Sequence, residues 1–273
     1  MNIFEWTVDT VDPGLSIRLR VLKNRWRGDS IAQLIPRLVR PGDVVIDVGA
    51  NRGIYTWQLS TLVGRSGRVH SVEPYPPNAD RLDILARLRS NIVVHRIAVS
   101  DRSGQVRLHV PSYRGHLLDA LATLNPPSDV RYESVDAPVE TMDKLLASEP
   151  GSITLVKCDV EGHEDEVLRG SWKLLHRHRP VVIMEIEQRH RAEPVHVMLR
   201  KFEQAGYVGR FLGPAGMRPT AEFDVTRHQL GFLSSDFSPY SMPVGYVSDF
   251  VFFPSEEAAE SGSGSMRFDE FGE

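Results

Sequence analysis

Apolar runs that fit strands alternate along this chain with amphipathic stretches that fit helices, in the order expected of a parallel α/β domain. Val44-Val-Ile-Asp-Val48 is an almost unbroken apolar run closed by Gly49. A helix is predicted over residues 51–62, with Ile54, Trp57, Gln58 and Thr61 on one face and Gly64 and Gly67 at its end. The pattern then repeats. A strand is expected over residues 68–73. Pro77 and Asn78 open a helix carrying Ala79, Leu82, Leu85, Ala86 and Leu88, and a third strand runs from Ile92 to Ala98-Val99-Ser100. Three such units in succession predict a parallel sheet buried on both faces.

Upstream, the periodicity of Ile31, Leu34, Ile35, Leu38 and Val39 predicts one helix, stopped by Pro41-Gly42. Downstream the alternation breaks. Residues 105–110 alternate like an exposed strand, and residues 111–138, rich in Pro, Ser, Gly and aromatics, read as a lid or substrate loop. Order returns over residues 139–146, followed by a strand at 153–159, a helix at about 163–176, a strand at 181–185 and a helix at 194–205. Late strands near residues 229–233 and 250–253 would complete a seven-stranded, mostly parallel sheet with helices on both faces. The expected organisation is a helical extension over residues 1–40, a domain over 41–255 and a flexible tail over 256–273, whose first part is rich in Glu, Ala, Gly and Ser.

Composition narrows the functional classes. With 273 residues, 41% of them hydrophobic and 25% charged, the chain can bury one full core. A formal net charge of -4 gives no bulk attraction to a phosphate backbone, so nucleic acid is not an expected partner. One cysteine, Cys158, cannot form an internal disulfide. The absence of a signal peptide or a membrane-spanning apolar run leads us to expect a cytoplasmic protein with no integral membrane association.

The turn after the first strand carries the chemistry. A dinucleotide fingerprint uses G-x-G-x-x-G to bring backbone amides against a pyrophosphate, whereas this turn reads Asp47-x-Gly49-Ala50-Asn51-x-Gly53. A carboxylate at Asp47 suits a ligand ammonium, and Glu73 at the end of the second strand suits a ribose diol. S-adenosylmethionine carries both groups, so a methyl donor is expected in preference to a nicotinamide.

These residues, with Glu73-Pro74 and the later Lys157-Cys-Asp-Val-Glu-Gly-His-Glu164 and Val167-Leu-Arg-Gly170, resemble the FkbM family of S-adenosylmethionine-dependent O-methyltransferases over roughly residues 40–190. The resemblance implies a Rossmann-like class I methyltransferase fold. It implies that Asp47 and the Gly49-Ala50-Asn51-Gly53 turn cradle the methionine end, that Glu73 holds the ribose hydroxyls, and that Ala98 lies against the adenine. It also implies a hydroxyl acceptor on a macrolide or on the saccharide of a glycolipid or polysaccharide. The polar composition of the predicted lid favours the saccharide.

Ligands of open parallel sheets bind beyond the carboxyl ends of the strands, which points Asp159 at the cleft. Methyl transfer to a hydroxyl needs in-line attack and removal of a proton from a weak acid. Asp159, Glu161 and His163 are the catalytic candidates, with either carboxylate as the group that orients the imidazole. In a second route, Asp159 and Glu185 hold a hard cation such as Mg²⁺ that lowers the hydroxyl pKa. Against it, Glu185 and Glu187 have nearby arginines, Arg189 and Arg191, to pair with. Lys157, two residues before Asp159, is expected to be its salt-bridge partner. No zinc-type spacing is present. Tyr113, His116, Tyr132 and Trp57 have no assigned role. Pro239, Tyr240, Pro243 and Tyr246 are candidates for a second cleft wall in their own chain or in a homo-oligomer partner. Rival readings are methylation of an amine or carboxylate, a non-catalytic adenosyl-ligand-binding protein, and a nicotinamide oxidoreductase, which the glycine pattern disfavours.

Overall fold

A computed structural model describes residues 12–26, 29–113, 116–117, 122–124, 131–214, 216–233 and 243–263. Two helices, α1 (Pro13–Trp26) and α2 (Ser30–Leu38), precede β1 (Val44–Val48), then α3 (Ile54–Val63), β2 (Arg68–Val72), α4 (Pro76–Leu88) and β3 (Ile92–His95). Four strands follow: β4 (Ala98–Val99), β5 (Gly104–Tyr113), β6 (His116–Leu117) and β7 (Tyr132–Glu140). Next come α5 (Met142–Leu145), β8 (Ile153–Cys158), α6 (Glu164–Arg169), α7 (Trp172–His178), β9 (Val181–Glu185) and α8 (Val195–Gln204). The described elements end with β10 (Val208–Gly213), β11 (Gly216–Pro219), α9 (Val225–His228), β12 (Asp249–Phe253) and α10 (Glu256–Ser263).

The main sheet has eight strands in the order β11-β10-β12-β9-β8-β1-β2-β3. The five from β9 to β3 are parallel, whereas β12, β10 and β11 are each antiparallel to their neighbours. Strand alternation sorts the core into two layers. Ile46, Val48, Val156 and Cys158 pack on one face with α6, α7 and α8, including Leu175, Met198 and Phe202. Val45, Leu155, Ile183 and Val251 pack on the other with α2, α3 and α10. Asp47, Lys157 and Glu185 share that second face by alternation, and Asp47 and Lys157 are direct ladder partners. The sheet therefore carries a polar row at its carboxyl edge.

Several expectations need correction. There are eight main-sheet strands, not seven, because β10 and β11 form a hairpin whose glycines and arginines (Gly209, Arg210, Gly213, Gly216 and Arg218) interrupt any apolar run. The third strand stops at His95, and Ala98-Val99 leaves the main sheet to pair with β7 in a second, four-stranded sheet, β4-β7-β5-β6. The span 111–138 is therefore partly strand, its residues 132–138 pairing along β5. Residues 229–233 form no strand. Leu230–Phe232 is a 3-10 turn, and it is the Gln229 side chain that joins the strand ends by donating to the Ile186 and Val247 carbonyls at 2.7 and 2.8 Å. The helix expected at 163–176 divides at Gly170, where a Cβ would lie 1.9 Å from the Ser100 carbonyl oxygen. The expected flexible tail starts as a helix, α10, whose Ala259 is buried in the core. Within the expected helical extension α1 is a helix additional to the one that the periodicity at residues 31–39 predicts. Among the described residues no helix is long and apolar enough to cross a membrane.

Candidate functional site

Beyond the carboxyl ends of β1, β2 and β8 lies a cleft with about 630 Å³ of empty space, part of it open to solvent. That falls in the range of small-molecule sites. Its floor is Val48, Gly49, Asn51, Glu73 and Pro74, one wall is Ile97, Ala98 and Val99, and the opposite wall is Asp159, Val160, Glu161 and His163. Leu108, Ala122 and Leu124 from the second sheet and its connection close it from above. The last two fall inside the predicted lid, and Thr123 between them donates to the Glu161 carbonyl at 2.8 Å.

The floor is set by backbone. Gly49 has φ 71°, and a Cβ there would sit 1.8 Å from the Asp159 carbonyl oxygen, so the β1 turn and the β8 end touch main chain to main chain. The amides of Gly49 and Ala50 bond the Val72 carbonyl at 3.0 and 3.1 Å. Glu73 is buried and accepts from the Asn51 amide at 2.8 Å through one oxygen and from the Tyr75 amide at 2.8 Å through the other. Those amides fix the carboxylate at the cleft floor in one orientation.

Gly49, Asn51, Glu73, Ala98, Asp159, Glu161 and His163 are thus brought together on one cleft. Three expected cofactor residues are not. Asp47 is fully buried beneath the turn, where Thr56 donates to it at 2.6 Å and also lies 2.9 Å from the Ser71 hydroxyl. It has no open path to a ligand ammonium in this conformation. Ala50 packs with Ile17, Trp57 and Leu85, and Gly53, with φ 83°, faces Leu82 and Leu85 of α4. Both shape the turn from behind.

The opposite wall is charged. Lys157 is buried with its Nζ 3.1 Å from Asp159, as expected, and 3.9 Å from Asp47. Burial pulls its ammonium pKa down, but the two carboxylates outweigh this and the pKa is raised. Burial raises the Asp47 carboxyl, with Lys157 opposing. Asp249, the ladder partner of Glu185, is pushed up to about 7 by burial and by Asp29 and Asp159. Glu185 is raised well above the usual carboxylate range by burial, Asp159 and Asp249. Glu185 therefore favours the protonated form, whereas Asp249 sits near its midpoint at neutral pH.

Glu161, held at φ 52°, is raised chiefly by burial and lies 3.2 Å from His190 Nε2. His163 is oriented by neither Asp159 nor Glu161. Its Nε2 meets the Ser100 hydroxyl at 2.9 Å and its Nδ1 lies 3.4 Å from Glu166, while burial lowers its pKa and keeps the ring neutral. Ser100 was missed in the sequence because it follows a strand expected to belong to the main sheet.

The expected metal pair, Asp159 and Glu185, lies close enough for the Asp159 charge to add to burial in raising the Glu185 carboxyl, and a separate three-residue donor group stands in the same wall. Among the described residues, Glu161, Glu187 and His190 place one ligand atom each within 4.8 Å of one another. Burial alone would raise Glu187, but Arg189 donates to both its oxygens, at 2.6 and 2.8 Å, and its carboxyl is held low, with Tyr246 donating as well. The arginine pairing anticipated for Glu187 is thus present, and it competes with any cation there. Of the proposed second wall, Pro239 and Tyr240 lie outside the described residues. The Tyr113 and His116 side chains do as well.

Fold and cleft together define a class, the Rossmann-like class I methyltransferase domain with its ligand cleft at the carboxyl edge of a mostly parallel sheet. The chain belongs to the FkbM methyltransferase family, whose Methyltransferase FkbM domain model matches residues 47–208. Among solved structures it is similar to an FkbM methyltransferase from Methylobacillus flagellatus, at 17% identity and a TM-score of 0.49, with 78% of this chain and 44% of that one covered. This chain therefore spans less than half the length of that relative. It is also similar to a SAM-dependent methyltransferase from Aquifex aeolicus, at 15% identity, 83% and 88% coverage and a TM-score of 0.40. A third is fibrillarin from Aeropyrum pernix, a structure with natively bound S-adenosyl-L-methionine, at 14% identity, 79% and 68% coverage and a TM-score of 0.40. No curated protein matches.

Proposed function

We propose that this chain is an S-adenosylmethionine-dependent O-methyltransferase acting on a hydroxyl of a saccharide acceptor. The observation that carries the reading is the union, in one cleft, of an adenosyl-type cradle with three proton-accepting side chains. The cradle fits the group. Gly49, Asn51 and Glu73 border the cleft, and the Glu73 carboxylate is aligned there by the Asn51 and Tyr75 amides. The cofactor, when bound, supplies an electrophilic methyl group. Asn51 and Glu73 would hold its ribose end and Ala98 its base.

Glu161 is the preferred proton acceptor, because burial raises its carboxyl toward the working pH and His190 holds it in place. Asp159, one of whose oxygens pairs with Lys157, would orient the acceptor hydroxyl, and neutral His163 is the alternative base. A divalent cation, if one takes part, would be held by Glu161, Glu187 and His190 and would lower the hydroxyl pKa. Support for a polyhydroxylated acceptor comes from a neighbouring groove with about 840 Å³ of open space, lined by Asp165, Glu166, Arg169, His190, Arg191 and Glu193. These groups offer donors and acceptors suited to sugar hydroxyls. One catalytic domain over residues 41–255 and a cytoplasmic setting belong to the same reading, the latter in keeping with a buried free thiol at Cys158.

The test is titration calorimetry with S-adenosylhomocysteine, followed by transfer of a labelled methyl group to a panel of saccharides with and without a chelator. Glu73→Gln is expected to weaken S-adenosylhomocysteine by about 10- to 100-fold. Glu161→Gln is expected to leave binding intact and lower kcat by about 10²- to 10⁴-fold. No binding by the wild-type chain would end the methyltransferase reading. Binding without transfer to any hydroxyl would favour the non-catalytic alternative.

A further inference from the structure

α1 turns apolar side chains outward as well as inward. Its inner face, with Ile17 and Val21, packs against α3 and α4, beside Trp57 and Leu85. Its outer face carries Leu15, Leu19, Leu22 and Trp26, spaced i, i+4, i+7 and i+11, so all four fall within about 60° of one another around the helix. They are exposed by 46, 45, 55 and 87%. Leu88, at the end of α4, is also exposed and reaches the start of the helix beside Gly14. Five of the eight large apolar side chains exposed among the described residues are thus gathered on one face of the molecule. Isolated apolar side chains on a surface need no explanation, but a contiguous stripe marks an interaction site.

Charge identifies the occupant. The chain as a whole carries a formal charge of -4, yet residues 13–28 hold five basic residues, Arg18, Arg20, Lys23, Arg25 and Arg27, and no acidic one. On the helix, Arg18 lies to one side of the stripe and Lys23 to the other, both exposed. On the inner side, Arg20 joins Arg52 and Arg81 in lining a small groove between α1 and α4. An apolar stripe with Trp at its end, flanked by long basic side chains, matches the boundary between acyl chains and anionic headgroups. The same charges oppose a second copy of the helix, since two such segments would repel along their length.

We propose that α1 docks the protein on an anionic lipid bilayer, with the stripe of Leu15, Leu19, Leu22 and Trp26 entering the interface and the exposed Arg18 and Lys23 on its two sides at the level of the lipid phosphates. The helix lies in the membrane plane and does not cross it. Because α1 packs on α3 and α4, the two helices that follow β1 and β2, docking would hold the cleft at a fixed orientation to the bilayer. The surface stands on its own evidence and is independent of the proposed acceptor.

The test is co-sedimentation of the full chain with vesicles of phosphatidylcholine alone and of phosphatidylcholine mixed with phosphatidylglycerol, at low and high salt. The expected result is binding to the anionic vesicles, weakened by salt. Leu19→Glu/Leu22→Glu is expected to lower the bound fraction about tenfold with an unchanged melting temperature, and Lys23→Glu to lower it less. Trp26 supplies a second readout, a blue shift of fluorescence on anionic vesicles that Trp26→Phe removes. Absence of binding, or equal binding to both vesicle types, would overturn the proposal. So would light scattering that shows a dimer dissociated by Leu19→Glu/Leu22→Glu in a chain that ignores vesicles, which would assign the stripe to a second copy. Methyl transfer activity is not part of this readout, so the two proposals fail separately.

Discussion

The two sides of the cleft are built on different physics. The floor, where β1 and β2 end, is almost all backbone. Gly49 and Ala50 bond Val72, and Asn51 and Tyr75 bond the one carboxylate there, Glu73. The opposite wall, where β8 and β9 end, is a crowd of ionisable side chains in which Lys157, Arg189 and His190 offset Asp159, Glu161 and Glu187, while burial raises the carboxyls of Glu185 and Asp249. Backbone-to-backbone hydrogen bonds do not titrate, whereas a charged wall changes its protonation with pH and ligand. The difference suits a fixed cofactor cradle facing a proton-accepting acceptor side.

Lys157 is where the two sides meet, since its ammonium faces Asp47 of β1 and Asp159 of β8 at once. The largest effect is therefore expected from Lys157→Met, which fills the space but leaves Asp47 buried without a counter-charge. Removing one partner of a buried pair costs about 3–5 kcal/mol. Urea unfolding of the variant checks this, and Asp47→Asn in the same background should restore part of the loss. A cost below about 1 kcal/mol, the value of an exposed pair, would mean that the two sides are not coupled through this residue.

A somewhat smaller effect is expected at the floor from Gly49→Ala. The new Cβ meets a backbone carbonyl at 1.8 Å, and neither main chain can yield as a side chain would. Positive φ at a residue with Cβ adds to the strain. We expect about 2–4 kcal/mol of destabilisation and loss of measurable S-adenosylhomocysteine binding. Gly53→Ala sharpens the test, because its Cβ would meet only the tips of Leu85 and Leu82. It should cost about 1–2 kcal/mol and leave binding largely in place.

The floor was legible in the sequence because its determinants are local. A strand, a glycine turn and a carboxylate one strand later are read from spacing, and Gly49, Asn51 and Glu73 stand where that spacing puts them. Asp47 shows the limit, since residue type suggested an ammonium partner while strand alternation turned the side chain beneath the turn, toward Thr56 and Lys157. The charged wall was only half legible. Asp159 and Glu161 follow from a strand end, but their partners arrive from separate segments. His190 comes from the connection after β9, and Ser100, which meets His163, follows a strand that pairs with β7 instead of the main sheet. Glu187 looked like either a metal ligand or an arginine partner, and only the fold brings Arg189 and Tyr246 to it. The β10-β11 hairpin escaped because its glycines and arginines interrupt any apolar run, although an edge strand such as β11 tolerates polar residues.

The charged wall also predicts a pH signature that the floor lacks. Asp249 titrates at about 7 in the fold against 3.8 as an ordinary carboxyl, so between those values the folded chain holds a proton that the unfolded chain has released. Its contribution to stability is present at low pH and declines as pH rises toward 7. The half-buried His95 acts in the opposite sense over part of that window, since its pKa is lowered to about 4 by desolvation and by His70. The wild-type curve is therefore a sum, and the difference between Asp249→Asn and wild type isolates one group. That difference should move in favour of the variant by about 1–2 kcal/mol from pH 4.5 to 7 and stay level above. It falls short of the full shift because Glu185, directly across the ladder, takes over part of the proton uptake. Unfolding free energies measured at several pH values decide the matter. A pH-independent difference would mean that Asp249 is ionised throughout, with Lys157 neutralising it, and the wall would then be as fixed as the floor.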